Sequence, residues 1–448
     1  MNPKYQELYK KIVKAYYDNH FEKEFESYLE EFEDKKEAKQ VLAALCGIEE
    51  ISEENDHKFM LELVRKITKN EIRDKIVKKV GVCNETCETI DGKSKCQSVC
   101  PFDAIFIDGT SGDKIIDEDL CLSCGRCVNA CDMGHYLDIP QAVSLMELLK
   151  NHEKVVAIVA PAIAGQFGKE VTLDQLREAF IKVGFVDMVE TAMGADVLSL
   201  KEAMEYDHLV KEEGDFMITS CCCPIWIGLL KKKYNDLIPD VSPSVSPMVA
   251  MARIIKKLNP DTKVVFVGPC IAKKAEAKEP DIKDAVDHVL TFEETKLIFE
   301  AFDVDPGKLT GVSTIDYAST GGRLYARAGG VSTAVWDVID EFYPEKRKWF
   351  TSLHVDGILD CKKMLADLEE GKVRASFIEG MGCKGGCVGG PKRNIPVEEG
   401  TECADRQAKE SAIRMPAHSY IIMNLLNEIG IHNLDELRDD HCMFERHF

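Results

Sequence analysis

The sequence predicts a three-part protein in which a helical region and a small cysteine-dense domain precede a larger α/β domain. Over residues 1–78, apolar residues recur at three- and four-residue spacing, the pattern of amphipathic helices. Eight of the eighteen cysteines then fall between residues 83 and 131. From about residue 145, short apolar runs alternate with longer amphipathic segments, as in an α/β fold. The predicted boundaries are 1–78, 79–140 and 141–400, with a helical segment over 401–448 that completes the α/β domain.

The amino-acid composition and charge argue against several classes of function. A formal net charge of −21 argues against nucleic-acid binding, and it requires any acidic electron carrier to dock on a local basic patch. The longest apolar run, Val155 to Gly165, is about half of the ~20 residues that a membrane helix needs. The charged N-terminus lacks a signal-peptide pattern, so we expect a cytoplasmic protein with no membrane partner. In a reducing compartment, closely spaced cysteines more often bind metal than form disulfides.

The N-terminal region carries two apolar stripes. They consist of Tyr5, Leu8, Ile12, Val13 and Tyr16 in the first, and Leu61, Val64, Ile67 and Ile72 in the second. Dense charge separates the stripe positions, which predicts solvated helices. Two interpretations stay open: a helical cap on the next domain, or a docking surface for a partner.

The cysteine-dense segment contains a bacterial ferredoxin pattern. The second cysteine run has C-x2-C-x2-C-x3-C spacing: Cys121, Cys124, Cys127 and Cys131. Such a run places three thiolates on one cubane while the fourth reaches a neighbouring cluster. The first run departs from this spacing, carries an insertion around Asp91-Gly92 and ends before Pro101: Cys83, Cys87, Cys96 and Cys100.

This segment therefore resembles a ferredoxin-like domain with two 4Fe–4S clusters. The crossover rule assigns Cys83, Cys87, Cys96 and Cys131 to one cluster. It assigns Cys121, Cys124, Cys127 and Cys100 to the other. Structural zinc is the alternative, although four-cysteine zinc sites usually come as two C-x2-C pairs.

Three buried-strand candidates in the α/β domain lead directly into unusual loops. They are Val155–Val159, Phe216–Thr219 and Val264–Val267. The loops that follow are Ala160-Pro161-Ala162, the triplet Cys221-Cys222-Cys223, and Gly268-Pro269-Cys270. Because ligands of open α/β sheets bind beyond the carboxyl ends of the strands, we expect one shared site there. In the tail, residues His418 to Leu426 and Leu434 to Arg438 are predicted to be helical.

Three cysteine motifs carry a family resemblance. They are Thr219 to Trp226 (TSCCCPIW), Gly268 to Glu276 (GPCIAKKAE) and Glu379 to Pro391 (EGMGCKGGCVGGP). In this order, and behind the eight-cysteine segment, they resemble the motifs of the FeFe (iron-only) hydrogenases over roughly residues 80 to 400. The resemblance implies a catalytic domain of two sheet/helix lobes around an iron–sulfur site. The atypical first cluster and the triplet resemble the less common group B branch.

The resemblance also implies a ligand set for the active-site cluster of this family, the H-cluster. Its 4Fe–4S cubane would be held by Cys223, Cys270, Cys383 and Cys387, and Cys387 would also bridge to a diiron subcluster. In the family that subcluster carries CO, cyanide and an azadithiolate. Lys273 matches the lysine that binds a cyanide, and Met381 matches a methionine that lines the diiron site. Ala160 and Pro161 match a segment that shapes the pocket.

The cysteine triplet is a departure, because the family usually has two cysteines between Thr-Ser and Pro. Alignment on Pro224 and Trp226 makes Cys223 the ligand and Cys222 the proton-relay cysteine. Alignment on Thr219 and Ser220 shifts both roles back by one residue. The first is favoured, because proline opens a helix well and would fix the ligand's position.

The resemblance further implies a proton path. It runs through Cys222, Glu202, Ser242 and Glu205. Glu202 and Glu205 would share one face of a helix, because they are three residues apart. Leu209 stands where the family often has an arginine at the outer end, and Gly268 replaces the usual methionine before Pro269-Cys270.

The function implied is 2H⁺ + 2e⁻ ⇌ H₂. Electrons would come from ferredoxin or a similar low-potential carrier, and maturation proteins would supply the diiron unit. A hydrogen sensor or an iron–sulfur assembly factor of the same family is the alternative. Four further cysteines are expected to be small buried hydrophobes: Cys46, Cys361, Cys403 and Cys442. The eleven histidines form no ligand pair, which argues against a mononuclear zinc or non-haem iron centre.

Overall fold

The computed structural model describes residues 1–32, 34–81, 83, 87, 89–110, 112–313, 317–438 and 443–447. The helices in this part of the chain are α1 Pro3–Tyr17, α2 Phe21–Glu30, α3 Lys35–Leu45, α4 Asp56–Thr68, α5 Lys95–Ser98, α6 Arg126–Ala130, α7 Ala142–Asn151, α8 Leu173–Val183, α9 Ala192–Leu209, α10 Pro224–Lys233, α11 Pro247–Leu258, α12 Ala272–Glu276, α13 Phe292–Ala301, α14 Thr320–Leu324, α15 Gly330–Phe342, α16 Ile358–Glu369, α17 Val397–Lys409 and α18 Tyr420–Glu428.

The strands are β1 Val77–Lys79, β2 Thr89–Ile90, β3 Lys93–Ser94, β4 Ile105–Ile107, β5 Lys114–Ile116, β6 Tyr136–Asp138, β7 Val155–Val159, β8 Asp187–Glu190, β9 Met217–Ile218, β10 Lys263–Gly268, β11 His288–Thr291, β12 Ser352–Asp356 and β13 Phe377–Met381. None of the helices in the described part of the chain is long and apolar enough to span a bilayer.

Four helices, α1 to α4, form the N-terminal region as the periodicity predicts. Helix α1 packs against α7 and α13 of the α/β domain, and the hydroxyl of Tyr9 accepts a hydrogen bond from the Ala142 N–H at 3.2 Å. The first stripe is buried apart from the half-buried Leu8, whereas the second stripe is confirmed only in part. Ile67 is buried as predicted, but Leu61 is 53% exposed and Ile72 follows the end of α4. The other buried residues of this helix are Phe59, Met60 and Leu63. Adjacent apolar residues in this helix allow more than one choice of face, which explains the error.

The cysteine-dense region is built from short elements. Strand β1 pairs antiparallel with β6, and β4 pairs antiparallel with β5, while α5 contains Cys96 and α6 contains Cys127. A small apolar cluster fills the region and includes Ile271, which directly follows Cys270. The region is therefore packed against one of the three hydrogenase-like motifs.

Two parallel sheets form the α/β domain, in agreement with the predicted fold class. One has the strand order β11-β10-β7-β8 and the other β12-β13-β9. The predicted strand 155–159 is observed as β7, and 264–267 lies within β10. The third predicted strand is shortened to Met217–Ile218. Its pairing with β13 places the cysteine triplet next to the third motif.

Helix α9 is buried on all faces along most of its length and packs against α11, α14 and α15. A helix that is covered on every side is a core element, and here it brings carboxylates inside the protein. Helix α17 crosses residue 400, so the predicted tail begins inside a helix. Beyond it, Tyr420–Glu428 is helical, whereas His418 and Leu434–Arg438 lie in 3₁₀ turns.

Candidate metal centre

The three cysteine motifs follow the carboxyl ends of parallel strands from the two sheets of the α/β domain. Strand β9 leads into the triplet, β10 ends at Gly268 before Cys270, and β13 ends at Met381 before Cys383. This is the edge at which open α/β sheets bind ligands. The geometry thus brings together residues that are more than 150 positions apart in the chain, as Cys223 Sγ and the Gly382 N–H are.

Cys223, Cys270, Cys383 and Cys387 lie within electrostatic reach of one another. Burial raises the pKa of Cys387 to about 12, with the charges of Cys223 and Cys270 adding to the effect. Burial likewise raises the pKa of Cys270 to about 12, assisted by Cys223. The pKa of Cys383 is raised well above its usual value by burial and then by the other three thiolates. Four thiols held together in this way are a soft donor set suited to an iron–sulfur cubane.

In the described part of the chain, no three His, Cys, Asp or Glu side chains are close enough to hold a single metal ion. A cubane makes a different demand, because its four cysteines bind four separate irons. The thiols must also lose their protons on binding, which the mutual repulsion of thiolates opposes until a cation is present. The arrangement therefore fits a cluster better than a mononuclear ion.

Lys273 is a buried cation beside these thiols. Its Nζ lies 2.5 Å from a carboxylate oxygen of Glu276, and both side chains are almost fully covered. Neither group has a correctly oriented hydrogen-bond partner. Burial has the largest single effect and lowers the pKa of Lys273, but the charge and hydrogen bond of Glu276 and the charges of Cys222 and Cys270 together raise it above its usual value. A protonated, buried lysine that is paired with one carboxylate still has further N–H donors, which suit an anionic ligand.

The three side chains of the cysteine triplet have different surroundings. Cys223 Sγ accepts a hydrogen bond from the Gly382 N–H at 3.3 Å, and Cys223 caps α10, whose first residue is Pro224. Burial raises the pKa of Cys222 well above normal, with the charges of Cys387 and Cys223 adding to it and that of Lys273 opposing it. Cys221 turns away, and its Sγ donates to the Ser242 carbonyl oxygen at 2.9 Å. Burial raises the pKa of Cys221 as well, with the Glu202 charge as the next cause, so the division of ligand and relay roles within the triplet stays a prediction.

A left-handed residue produces the turn before the triplet. Ser220 has φ of +72°, a region that L-residues other than glycine, asparagine and aspartate rarely occupy. Its carbonyl oxygen accepts from the Cys223 N–H at 2.9 Å, which closes the turn directly before α10. The strained backbone conformation at Ser220 thus lies three residues before Cys223, and such strain is typical of functional sites.

Met381 and Ala160 are both buried, and Met381 is the last residue of β13. The Met381 carbonyl oxygen accepts from Cys361 Sγ at 3.4 Å. A Cβ at Gly268 would lie 2.7 Å from the Phe266 ring and 3.3 Å from Ala160 Cβ. The Phe266 ring therefore occupies the space that a side chain at position 268 would need, which accounts physically for the glycine.

Two carboxylates of the predicted proton path are buried on α9. The Thr219 hydroxyl donates to Glu202 at 2.5 Å, and the Ser242 hydroxyl donates to Glu205 at 2.5 Å. Burial raises the pKa of Glu202 to about 8, with the Glu205 charge as the next cause. Among the described residues, Glu202 has no direct hydrogen bond to Cys222 or to Ser242. The structure thus contains the outer half of the predicted path as direct contacts.

Sequence reasoning missed several groups around these carboxylates. Lys201 is fully buried and forms an ion pair with Glu205, and the Ser244 hydroxyl lies 3.3 and 3.4 Å from the two Glu205 oxygens. Thr219 belongs to the first motif, but the predicted proton path gives it no role. Lys201 and Ser244 lack a sequence signal, because a lysine in a helix and a serine in a loop usually face solvent.

Glu379, the first residue of the third motif, has a structural role. Its carboxylate accepts hydrogen bonds from the N–H groups of Gly329 and Ser332 at 2.8 Å, and from the Ser332 hydroxyl at 2.6 Å. These are unpaired donors at the start of α15, so Glu379 fixes β13 against that helix. The glycines of the motif are also required by protein packing. A Cβ at Gly386 would lie 2.5 Å from the Ala328 nitrogen.

In the cysteine-dense region, Cys100 lies within electrostatic reach of the second cysteine run. Burial raises the pKa of Cys124 to about 11, and the charges of Cys121 and Cys100 contribute. Burial raises the pKa of Cys127 further, with contributions from Cys124, Cys121 and Cys100. The Cys124 charge also acts on Cys383. Cys124 is therefore near enough to Cys383 for their charges to interact.

The other cysteines of this region are Cys83, Cys87, Cys96 and Cys131. Cys96 contributes to the raised pKa of Cys83 after burial, which has the largest effect. Cys131 Sγ accepts from the His135 N–H at 3.3 Å, and Cys87 is half-buried. Elsewhere, Cys46, Cys361 and Cys403 are buried. Cys442 lies outside the described residues.

Comparison with known proteins gives a consistent picture. Residues 153–391 match the family described as the iron only hydrogenase large subunit, C-terminal domain. The chain is 26% identical over 366 residues to the NADP-reducing hydrogenase subunit HndD of Solidesulfovibrio fructosivorans, covering 69% of this chain and 61% of that protein. It is 26% identical over 412 residues to iron hydrogenase 1 of Clostridium pasteurianum, covering 70% and 71% of the two chains.

Other relatives widen the range of functions. The cytosolic iron-sulfur assembly component 3 of Rattus norvegicus is 23% identical over 345 residues, covering 63% of this chain and 72% of that protein. Among solved structures, a variant of the FeFe hydrogenase HydA1 from Chlamydomonas reinhardtii matches with a TM-score of 0.55 and 22% identity. That match covers 66% of this chain and 94% of the other. Because the family match spans more than half of its residues, the chain belongs to the FeFe (iron-only) hydrogenase family.

Proposed function

We propose that this protein is an FeFe hydrogenase that interconverts protons and molecular hydrogen. The observation that carries the proposal is the convergence of Cys223, Cys270, Cys383 and Cys387 beside the buried ammonium of Lys273. The thiolates would hold the cubane of an H-cluster, with Cys387 as the bridge to the diiron unit. That cluster, when bound, supplies the redox and proton-binding chemistry.

The protein's own residues would bind and orient this group. Lys273 would donate to an anionic ligand and offset its desolvation, because a buried cation and anion stabilise one another only when they are paired. Met381, Ala160 and Pro161 would exclude water from the diiron side. Cys222 lies outside the ligand set and within electrostatic reach of Cys387 and Lys273, so we assign it the first proton transfer.

Glu202, Ser242 and Glu205 would carry the proton onward. The raised pKa of Glu202, about 8, suits a carboxyl group that must both accept and release a proton near neutral pH. Ser242 and Glu205 are already hydrogen-bonded at 2.5 Å. The step from Glu202 to Ser242 would need a small side-chain rotation or a bridging water, since Glu202 is held by Thr219.

Electrons would enter through the cysteine-dense region, which we interpret as a ferredoxin-like domain over residues 79–140. Cys100, Cys121, Cys124 and Cys127 would hold the cluster next to the active site, because the charge of Cys124 acts on Cys383. Cys83, Cys87, Cys96 and Cys131 would hold the outer cluster. A ferredoxin or a similar low-potential carrier would be the electron partner, and maturation proteins would insert the diiron unit.

An assembly role is the second candidate, because one relative is named a cytosolic iron-sulfur assembly component. Assembly of clusters does not call for buried proton-transfer groups. Burying Glu202 and Glu205 costs stability, since a carboxylate loses its hydration there. Their retention inside α9 favours catalysis.

Iron content and hydrogen evolution test the proposal together. Protein produced without maturation factors should bind three cubanes, and loading with a synthetic diiron complex should bring the total to about fourteen irons per chain. Only the loaded protein should evolve hydrogen from reduced viologen. Cys387→Ala should prevent loading and activity, whereas the exposed-residue variant Glu428→Gln should behave as wild type. If fully loaded wild-type protein evolves no hydrogen, the assembly role is favoured instead.

A further inference from the structure

The C-terminal segment 443–447 returns to the buried end of the predicted proton path. The Arg446 N–H donates to the Pro243 carbonyl oxygen at 2.8 Å, and the Val245 N–H donates to the Phe444 carbonyl oxygen at 2.8 Å. These two bonds flank Ser244 and Glu445, which form an antiparallel bridge. Phe444 is fully buried, so the segment is anchored in the core.

Ser244 and Glu445 form a non-hydrogen-bonded pair, because the flanking residues make the backbone bonds. In such a pair the two side chains lie on the same face, with Cβ atoms about 4.5–5.5 Å apart. The Ser244 hydroxyl on that face lies 3.3 and 3.4 Å from the Glu205 oxygens. The Glu445 carboxylate is therefore within side-chain reach of a hydroxyl that contacts Glu205.

Glu445 also has an unsatisfied buried oxygen. Its Oε2 is covered and lacks a hydrogen-bond partner, although the residue as a whole is half-exposed. A covered carboxylate oxygen without a partner is costly, and such sites usually hold an ordered water. The next residue but one, His447, is exposed. Glu445 thus has one oxygen facing the interior and stands beside the surface.

We propose that Ser244 and Glu445 form the outer end of the proton path, linking Glu205 to solvent. This proposal rests on the proposed function, and it adds the point at which protons enter the path from solvent. Glu445 would take a proton from water or a buffer acid and pass it to the Ser244 oxygen. Ser244 would release its own hydroxyl proton to Glu205, so that one proton moves inward and no other bond changes. Leu209 cannot serve this purpose, because its side chain carries no exchangeable proton.

The charges around this segment are consistent with such a route. Lys201 holds the other side of Glu205 in a buried ion pair. Arg446 projects to the opposite face of the strand from Glu445 and is paired with Glu279 at 2.5 Å and with Asp281 at 3.2 Å. Glu276 also acts on Arg446. The nearest cation on the segment is thus engaged elsewhere, and among the described residues no cation is paired with Glu445.

Two variants test the assignment. Glu445→Gln keeps the shape of the side chain but removes its proton exchange, and Ser244→Ala removes the hydroxyl. With reduced viologen as donor, each should lower hydrogen evolution by on the order of 10²-fold, the scale of a positioned proton transfer. Iron content and infrared bands should stay as in wild type. The solvent deuterium isotope effect should rise, and small buffer acids should partly restore the rate.

Matched controls separate the possible outcomes. Glu428→Gln changes an exposed carboxylate on α18 and should leave all readouts unchanged, while Glu445→Asp should retain much of the rate. If Glu445→Gln contains less iron than wild type, its lower rate does not test the proposal. The rate of Ser244→Ala then provides the test. Wild-type turnover and isotope effect in fully loaded variants would overturn the proposal and leave the hydrogenase assignment intact. A loaded wild-type protein without hydrogen evolution would instead overturn the proposed function.

Discussion

The ammonium of Lys274 lies 3.0 Å from the carboxylate of Asp138, and both are buried. Lys274 is on α12, directly after Lys273, and Asp138 is on β6 of the cysteine-dense region. The same ammonium lies 2.7 Å from Glu294 and donates to the Ile139 carbonyl oxygen at 2.6 Å. This ion pair therefore joins the helix of the second motif to the region that we assign to electron transfer.

Removal of this cation should destabilise the protein. Lys274→Met would leave the carboxylates of Asp138 and Glu294 with less compensation in the interior, which typically costs about 3–5 kcal/mol. The apparent unfolding midpoint in denaturant should fall clearly. The control is Lys154→Met, which removes an exposed lysine and should have little effect. Equal midpoints for Lys274→Met and wild type would contradict a structural role for the pair.

Glu202 should make stability depend on pH in a specific direction. Its pKa is about 8 in the folded protein and about 4.5 when unfolded, so between these values the folded state binds the extra proton. The free energy of unfolding therefore falls as pH rises through this window. Glu202→Gln removes that dependence and should be more stable than wild type at pH 8. The expected difference is a few kcal/mol, because each tenfold change in proton affinity corresponds to about 1.4 kcal/mol.

The comparison should be made at two pH values. Near pH 5 the two proteins should have similar unfolding midpoints, because Glu202 is then mostly protonated in the folded state. A constant difference between pH 5 and pH 8 would show that Glu202 does not titrate in this range. Glu428→Gln, an exposed substitution, should show no comparable trend.

Glu205→Gln should affect turnover without affecting the cluster. Loss of a positioned proton-transfer group lowers the rate by roughly 10²–10⁴-fold. Infrared bands and iron content should remain normal, because Glu205 contacts Ser242, Ser244 and Lys201 rather than any cysteine of the proposed ligand set. Hydrogen evolution at the wild-type rate would mean that protons take another route.

The three triplet cysteines should give three distinct phenotypes. Cys223→Ala should lose the active-site cubane, Cys222→Ala should keep it but lose most turnover, and Cys221→Ala should keep both. The reason is that Cys223 faces the other ligands, Cys222 faces Lys273, and Cys221 donates to a backbone carbonyl oxygen. Iron content and hydrogen evolution measured on each variant check this. Loss of the cubane in Cys222→Ala would favour the shifted alignment.

Much of the candidate site could be predicted from the sequence, because its determinants are local. Cys270 and Cys383 each follow a buried strand, and ligands of open α/β sheets bind beyond the carboxyl ends of such strands, so a shared site could be expected although β10 and β13 lie in different sheets. Cys223 could be placed because Pro224 starts a helix. These inferences use only the residues adjacent to each motif.

Contacts between distant parts of the chain could not be predicted. Ser244 and Glu445 are about 200 residues apart, and neither belongs to a recognisable motif. The predicted boundary at residue 400 cuts α17, because Gly400 packs tightly against Val388 inside the helix instead of ending it. Such features depend on which surfaces meet in the folded protein.

An infrared spectrum of the protein after loading with a synthetic diiron complex tests the central claim most directly. If the four cysteines and Lys273 hold an H-cluster, CO and cyanide stretches should appear between the amide bands and the C–H region. Cys387→Ala, treated in the same way, should lack them. Loaded wild-type protein without these bands, or bands that persist unchanged in Cys387→Ala, would contradict the assignment of this site.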